Sequence, residues 1–153
     1  MRHRATALVI NDNKILLMFR RKVGREYWVF PGGGIEPDEM PDEGAAREVE
    51  EETTVLVKPG RLVYLIKFDD GIVNRFFLCE YLNGEPKLGL SANEGRGQSV
   101  ENFYEPRWVD ISDLPDLLLF PLEVRDWLIV DLKNNFSDNI RDENFIINEM
   151  RKE

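Results

Sequence analysis

Four glutamates crowd the segment Glu48-Val49-Glu50-Glu51-Glu52, and three consecutive glycines, Gly32-Gly33-Gly34, stand upstream of them. Carboxylates at this density are either ligands for a hard divalent cation, which takes a near-octahedral set of oxygens, or a solvated acidic face. Helical geometry, at about 100° per residue, decides which of them converge. With Glu48 as origin, Glu52 falls at about +40° and Glu51 at about −60°, whereas Glu50 points roughly the opposite way. Glu48, Glu51 and Glu52 therefore share one arc. Ala45, Ala46, Val49 and Thr53 form the adjoining face, narrow enough to lie close on a sheet. A glycine loop that brings backbone carbonyls near an ion, a helix opening just after it, and convergent carboxylates together describe a phosphate-and-metal site. The glycines do not make the G-x-G-x-x-G dinucleotide fingerprint, and no Lys-Ser or Lys-Thr follows to make a P-loop.

The elements that must position these residues are short. Ala5–Ile10 and Ile15–Phe19 flank the turn Asn11-Asp12-Asn13-Lys14 and read as a hairpin. Tyr27–Phe30 is a brief aromatic strand closed by Pro31. The helix is predicted over Pro41 to Thr53, because proline suits the first helical position and Asp42 and Glu43 complement the dipole. Leu62–Phe68 and Ile72–Leu82 are strand-like, with Asp69-Asp70-Gly71 as the hairpin turn. Asn83 to Tyr104 is glycine-rich and reads as a long functional loop. A strand resumes at Pro106–Val109, and Leu122–Leu132 has helical spacing. Strands on either side of one central helix, with a second helix late, imply an α+β or α/β sandwich with a mixed sheet.

Twenty basic against 29 acidic side chains leave a net charge of −9, so the surface repels polyanions and duplex nucleic acid is not an expected partner. The single cysteine, Cys79, lies in an apolar run and reads as a small core hydrophobe rather than a reactive thiol. Six largely apolar residues, Ala5 to Ile10, are too few for a signal-peptide core or a membrane span, so the expected location is cytoplasmic.

Read from Gly33, the chain runs through Glu39, Arg47-Glu48-Val49 and Glu51-Glu52 to Thr54-Val55. This resembles the Nudix box, Gly-x5-Glu-x7-Arg-Glu-U-x-Glu-Glu-x-Gly-U with U a bulky aliphatic residue, at every specified position except the last glycine, replaced by Thr54. The entry Trp28-Val29-Phe30-Pro31-Gly32-Gly33-Gly34 and the later Trp108-Val109 and Leu114 are similar to the family as well. The resemblance spans residues 5 to 132, taken as one domain within 1–132. Residues 133–153 read as a polar tail, helical or interfacial.

The resemblance implies a Nudix-type α/β/α sandwich with a mixed sheet, and metal-dependent hydrolysis of a nucleoside diphosphate linked to another moiety, as in MutT-like pyrophosphohydrolases. Carried over by position, Glu48, Glu51 and Glu52 are the Mg²⁺ or Mn²⁺ ligands, with the Gly32 carbonyl added. Arg47 and Glu39 form the ion pair that fixes the loop at Gly33 against the helix. Its plainer reading is a surface salt bridge of little worth. The general base is either a box glutamate or one from the long loop, where Glu94, Glu101 and Glu105 are available and Glu101 is best placed. Arg20 and Arg21 are candidate contacts for substrate phosphates, against a solubilising basic loop. Tyr27, Phe103 and Tyr104 are either base-stacking rings or core. The marks that separate sub-families for dinucleoside polyphosphates, ADP-ribose and coenzyme A are missing, which leaves a nucleoside triphosphate or modified nucleotide as the default substrate. The expected partners are this small-molecule nucleotide and, since many Nudix proteins dimerise, a second copy of the chain, with no membrane.

An alternative reading is a catalytically weak Nudix-fold nucleotide-binding or regulatory domain, whose usual sign, loss of the box acids, is missing here. Three departures concern the backbone. Met40 replaces the usual Ser or Thr cap and Asp38 a common turn glycine. Thr54, being β-branched, adopts a left-handed exit poorly, so the helix is expected to end by another path.

Overall fold

The computed structural model describes residues 2–89, 99, 101–137 and 139–145. The chain forms β1 (Arg2–Asn11), β2 (Lys14–Lys22), β3 (Arg25–Val29), β4 (Gly32–Gly34), α1 (Pro41–Thr53), β5 (Leu56–Phe68) and β6 (Ile72–Asn83). After the strand β7 (Asn102–Asp110) come a 3-10 turn (Ile111–Asp116), β8 (Leu119–Phe120), α2 (Leu122–Lys133) and β9 (Arg141–Phe145). The strands join in one mixed sheet of order β8-β3-β2-β1-β6-β5-β9, with β4 also pairing β1 and β7 also pairing β2. β1 runs parallel to β6, β3 to β8 and β5 to β9, and the other pairs are antiparallel.

The sheet is covered on both faces, which explains why the centre of β1, Ala5 to Val9, is buried at every position rather than at alternate ones. Ala5, Ala7 and Val9 turn toward one face, where they pack with Leu16, Phe77 and Cys79 against Ala45 and Val49 of α1. Small residues on both sides let the helix lie close. Leu8 turns to the other face, with Ile15, Leu17, Tyr64, Ile66 and Phe76, and this second core takes Val124 and Leu128 of α2. The result is the helix-sheet-helix layering expected from the order of elements.

α1 begins and ends where proline, acids and Thr53 predict. Met40 supplies no side-chain cap, and in its place Glu43 Oε1 accepts the Met40 N–H at 3.1 Å. Elsewhere the sequence reading falls short. β5 starts at Leu56 rather than Leu62, and β7 at Asn102 rather than Pro106. The segment read as a polar tail contains β9, which adds to the edge of the sheet beside β5 in the register Tyr64↔Arg141 to Phe68↔Phe145. Its residues, RDENF, lack any apolar alternation, so nothing local announces a strand. A side-chain clamp holds it. Asp131 of α2, only 6% exposed, accepts from Arg141 Nε at 2.9 Å and Nη2 at 2.8 Å, and from the Tyr64 hydroxyl at 2.7 Å.

Thr54 corrects the expectation about the helix exit. It sits at φ 63, ψ 5, in the left-handed region where the family pattern has glycine. The chain therefore leaves α1 by the path read as disfavoured, because contacts from outside the helix hold it there.

Candidate active site

β4 is built from glycine because two partners approach it closely. A Cβ on Gly32 would lie 2.8 Å from Thr6 Cα on β1, and one on Gly33 would lie 2.6 Å from the Glu48 carboxylate oxygens. The bare backbone of Gly33 is thus a cradle for Glu48. That carboxylate is half-buried, and burial pushes its pKa above the usual range although the Arg47 guanidinium opposes the shift. The cation beside it in this structure is the Arg47 guanidinium.

Arg47 organises the loop and the helix together. Its Nε and Nη2 donate to Glu39 Oε2 and Oε1 at 2.7 and 3.0 Å, a two-pronged pair, and Nη2 also donates to the Gly34 carbonyl at 2.9 Å. Its Nη1 donates to Glu48 at 3.0 Å and Glu51 at 3.1 Å. Glu39 Oε1 in turn accepts the Glu36 N–H at 3.0 Å, and the Arg47 bonds hold the Glu39 carboxyl below the ordinary carboxylate range. Four anchors on one guanidinium, with side chains 23% exposed at Arg47 and 13% at Glu39, make this more than a solvated surface pair.

The arc derived for the acids is present: Glu50 is exposed, and Glu48, Glu51 and Glu52 are partly covered. They are not gathered into one cluster. Arg47 lies between Glu48 and Glu51, Glu52 lines a separate small cavity, and no three acidic, histidine or cysteine side chains among the described residues stand close enough to hold an ion as they are.

That cavity, of about 170 Å³, is bounded by Glu52, Gly32, Arg4, Arg20, Met18, Val29, Phe30 and Tyr104. Arg20 reaches it from β2, its guanidinium 3.7 Å above the Tyr104 ring, and its Nε is buried without a hydrogen-bond partner among the described residues. Arg21, adjacent in sequence, points to the other face of the strand, where Nε donates to Glu26 at 3.0 Å and the guanidinium lies 5.3 Å from the Phe103 ring. The structure thus separates the two arginines. Tyr27 is buried against Phe120, and Phe103 packs edge-on against Phe19. Glu101 lies in an exposed bend whose backbone carbonyl accepts the Val23 N–H, outside the residues that bound the cavity. Glu105 pairs with Arg107. Glu94 lies outside the described residues.

A second cavity, of about 190 Å³, shares the walls Arg4, Val29 and Phe30 and continues over Phe68, Ile72, Phe76 and Phe120. Its polar lining is Arg4, Thr6 and Asn74, the Thr6 hydroxyl donating to Asn74 Oδ1 at 2.8 Å. Sequence reasoning missed Arg4, Thr6 and Asn74. They lie on β1 and β6, far apart in the chain, and only the parallel register Arg4↔Asn74 brings them together.

The family model of the NUDIX domain matches residues 1–131. This chain belongs to the Nudix family. An RNA pyrophosphohydrolase of Zymomonas mobilis subsp. mobilis is 29% identical over 127 residues, covering 73% of this chain and 80% of the relative. The Nudix hydrolase YvcI of Bacillus subtilis is 30% identical over 116 residues, covering 72% of this chain and 66% of that protein. The crystal structure of a NUDIX hydrolase from Nitrosomonas europaea superposes with a TM-score of 0.69 at 21% identity, covering 95% of this chain and 78% of that one, a likeness of fold. The Nudix assignment makes the chain a hydrolase of pyrophosphate bonds, in a family that uses divalent cations and small nucleotide substrates. Among the described residues of this Nudix hydrolase, no helix is long and apolar enough to cross a membrane.

Proposed function

We propose that the protein is a metal-dependent, MutT-like nucleotide pyrophosphohydrolase that releases a nucleoside monophosphate or another phosphorylated product. The observation that carries this reading is the placement of Glu52 and Arg20 on the walls of one cavity beside the Gly32 backbone. A carboxylate to hold a cation and a guanidinium to hold a phosphate face the same space.

The donor atoms are of the type that Mg²⁺ or Mn²⁺ takes, hard carboxylate oxygens on one helical arc, and binding an ion would require Glu48, Glu51 and Glu52 to turn toward one another from the positions they hold here. Glu48, Glu51 and Glu52 would hold the ion, with the Gly32 carbonyl. When bound, such an ion neutralises phosphate charge and lowers the pKa of a water. Arg47, held by Glu39 and Gly34, keeps Glu48 and Glu51 from drifting apart. Arg20, whose Nε lacks a partner among the described residues, would donate to the phosphate oxygens. Glu52 is better placed than Glu101 to accept the proton of the attacking water, since only Glu52 lines the cavity.

The second cavity supports a nucleotide over a polyphosphorylated sugar. Phe30, Phe68, Ile72, Phe76 and Phe120 offer apolar faces to a flat ring, and Arg4, Thr6 and Asn74 supply polar groups along the rest of the lining. The relative from Zymomonas mobilis, an RNA pyrophosphohydrolase, widens the substrates to be tried to include a triphosphate at the end of an RNA chain.

The test is to incubate the protein with nucleoside triphosphates, oxidised nucleotides, nucleotide sugars, dinucleoside polyphosphates and 5′-triphosphate RNA, with Mg²⁺, with Mn²⁺ and with chelator. Metal-dependent release of a monophosphate product, lost in Glu52→Gln, is expected. Full activity in chelator, or native turnover by Glu52→Gln, refutes the assignment.

A further inference from the structure

The last turn of any helix leaves carbonyls without intrahelical partners, and its negative dipole end favours cations nearby. In α1 this turn carries Glu51 and Glu52 and has no basic residue. Relief comes from the segment that follows β6. The Lys87 N–H donates to the Thr53 carbonyl at 3.0 Å, and the Gly89 N–H to the Glu52 carbonyl at 3.1 Å. The Thr54 hydroxyl donates to the Glu85 carbonyl at 3.0 Å. Within the helix exit, the Thr53 hydroxyl donates to the Val49 carbonyl at 2.7 Å and accepts the Val55 N–H at 3.1 Å.

The segment packs backbone against backbone. Gly84, at φ 103, has Thr54 O at 2.9 Å from where its Cβ would be, and the Tyr81 hydroxyl donates to its carbonyl at 2.9 Å. Gly89 is buried, and a Cβ there would overlap the Glu51 carbonyl oxygen. Residues 84–89 therefore form a strap across the end of α1, touching Glu51, Glu52, Thr53 and Thr54 in turn.

Thr54 is the position at which this chain departs from the Nudix box. A β-branched residue at φ 63 is strained, and such strain persists only where surrounding contacts fix it. We propose that the strap is a positioning device for the box carboxylates: through Thr54 and Gly89 it sets the backbone of Glu51 and Glu52, replacing the conformational freedom that glycine gives other family members. The proposal rests on the reading of these two glutamates as cation ligands. Residues that orient ligands in this way typically govern metal affinity by 10- to 100-fold.

The test compares Thr54→Ser, Thr54→Gly, Thr54→Val and Gly89→Ala in the full chain, measuring Mn²⁺ affinity by electron paramagnetic resonance without substrate, alongside kcat, KM and melting temperature. Serine keeps the hydroxyl and glycine enters the left-handed region unaided, so both retain Mn²⁺ affinity to within a few-fold. Valine keeps the branched shape without the anchor, and its Mn²⁺ affinity is expected to fall about tenfold, with kcat falling more than KM rises. Gly89→Ala moves in the same direction, and Thr54→Val decides the matter if that variant does not fold. A Thr54→Val protein that melts lower yet binds Mn²⁺ with native affinity overturns the proposal, since the strap would then only stabilise the helix end. Glu52→Gln, measured in parallel, separates the two failures: native Mn²⁺ affinity in that variant removes the ligand reading itself.

Discussion

The Arg47–Glu39 pair either holds the Gly33 loop against the helix or is a surface ion pair, and a double-mutant cycle measures the difference. Arg47→Lys keeps the charge and loses the fork, and Glu39→Gln keeps the shape and loses the charge. Two charge-assisted bonds, at 2.7 and 3.0 Å, join the partners. A hydrogen bond to a charged group contributes about 1.5–3 kcal/mol when well covered, and an exposed salt bridge about 0–1 kcal/mol. With both side chains mostly covered but not buried, a coupling of about 2 kcal/mol is expected. For a chain of this length that corresponds to a loss of roughly 4–8 °C in melting temperature. Urea unfolding of the four proteins at pH 7 in chelator gives the coupling directly. Because Arg47 also anchors Glu48, Glu51 and the Gly34 carbonyl, the Arg47→Lys single variant should lose more stability than Glu39→Gln. A coupling below about 0.5 kcal/mol would show a pair of the ordinary solvated kind, and the orienting role would fall with it.

Gly33→Ala places a methyl against the Glu48 carboxylate, so Mn²⁺ affinity should drop at least tenfold; native affinity in a folded variant contradicts the cradle. Asp131→Asn removes a carboxylate that the Arg141 fork, and then the Tyr64 hydroxyl, hold at a lowered pKa. A lowered folded pKa contributes stability that is complete above the ordinary aspartate range and vanishes as pH falls through the folded pKa. The gap in unfolding free energy between native protein and variant should therefore be about 2–4 kcal/mol near neutral pH and close as the solution is acidified below about pH 4; a gap independent of pH disproves the clamp. Burial pushes the Cys79 thiol up to about 11, so an aromatic disulfide reagent at pH 8 should react with it only in denaturant. Rapid labelling of the folded chain would contradict its place in the core.

Where the governing interactions are local, residue types and spacing were enough. The bounds of α1, its packed face of Ala45, Val49 and Thr53, and the outward turn of Glu50 follow from proline, the first-turn acids and the helical period. The box pattern likewise named Arg47 and Glu39 as partners, and they are joined. Cys79 in an apolar run is a core residue. The two-layered cover of the sheet follows from the order of strands and helices.

Contacts between distant segments decided the rest. Arg20 and Arg21 are equivalent by composition, yet alternation along β2 sends one to the cavity of Glu52 and the other to Glu26. Glu101 is suitable by residue type, but the bend before β7 leaves it outside that cavity. β9 has no strand signature of its own and forms because β5 offers an open edge and Asp131 a buried anchor for Arg141. Thr54 adopts a conformation that its own side chain opposes, because Glu85, Lys87 and Gly89 close over the helix end. Sequence alone determined the family pattern and the helix that carries it, since both depend on neighbours within a turn or two. The tertiary structure decided which side chains share a cavity, since register between strands and closure of a loop are set by free energies summed over the whole sheet.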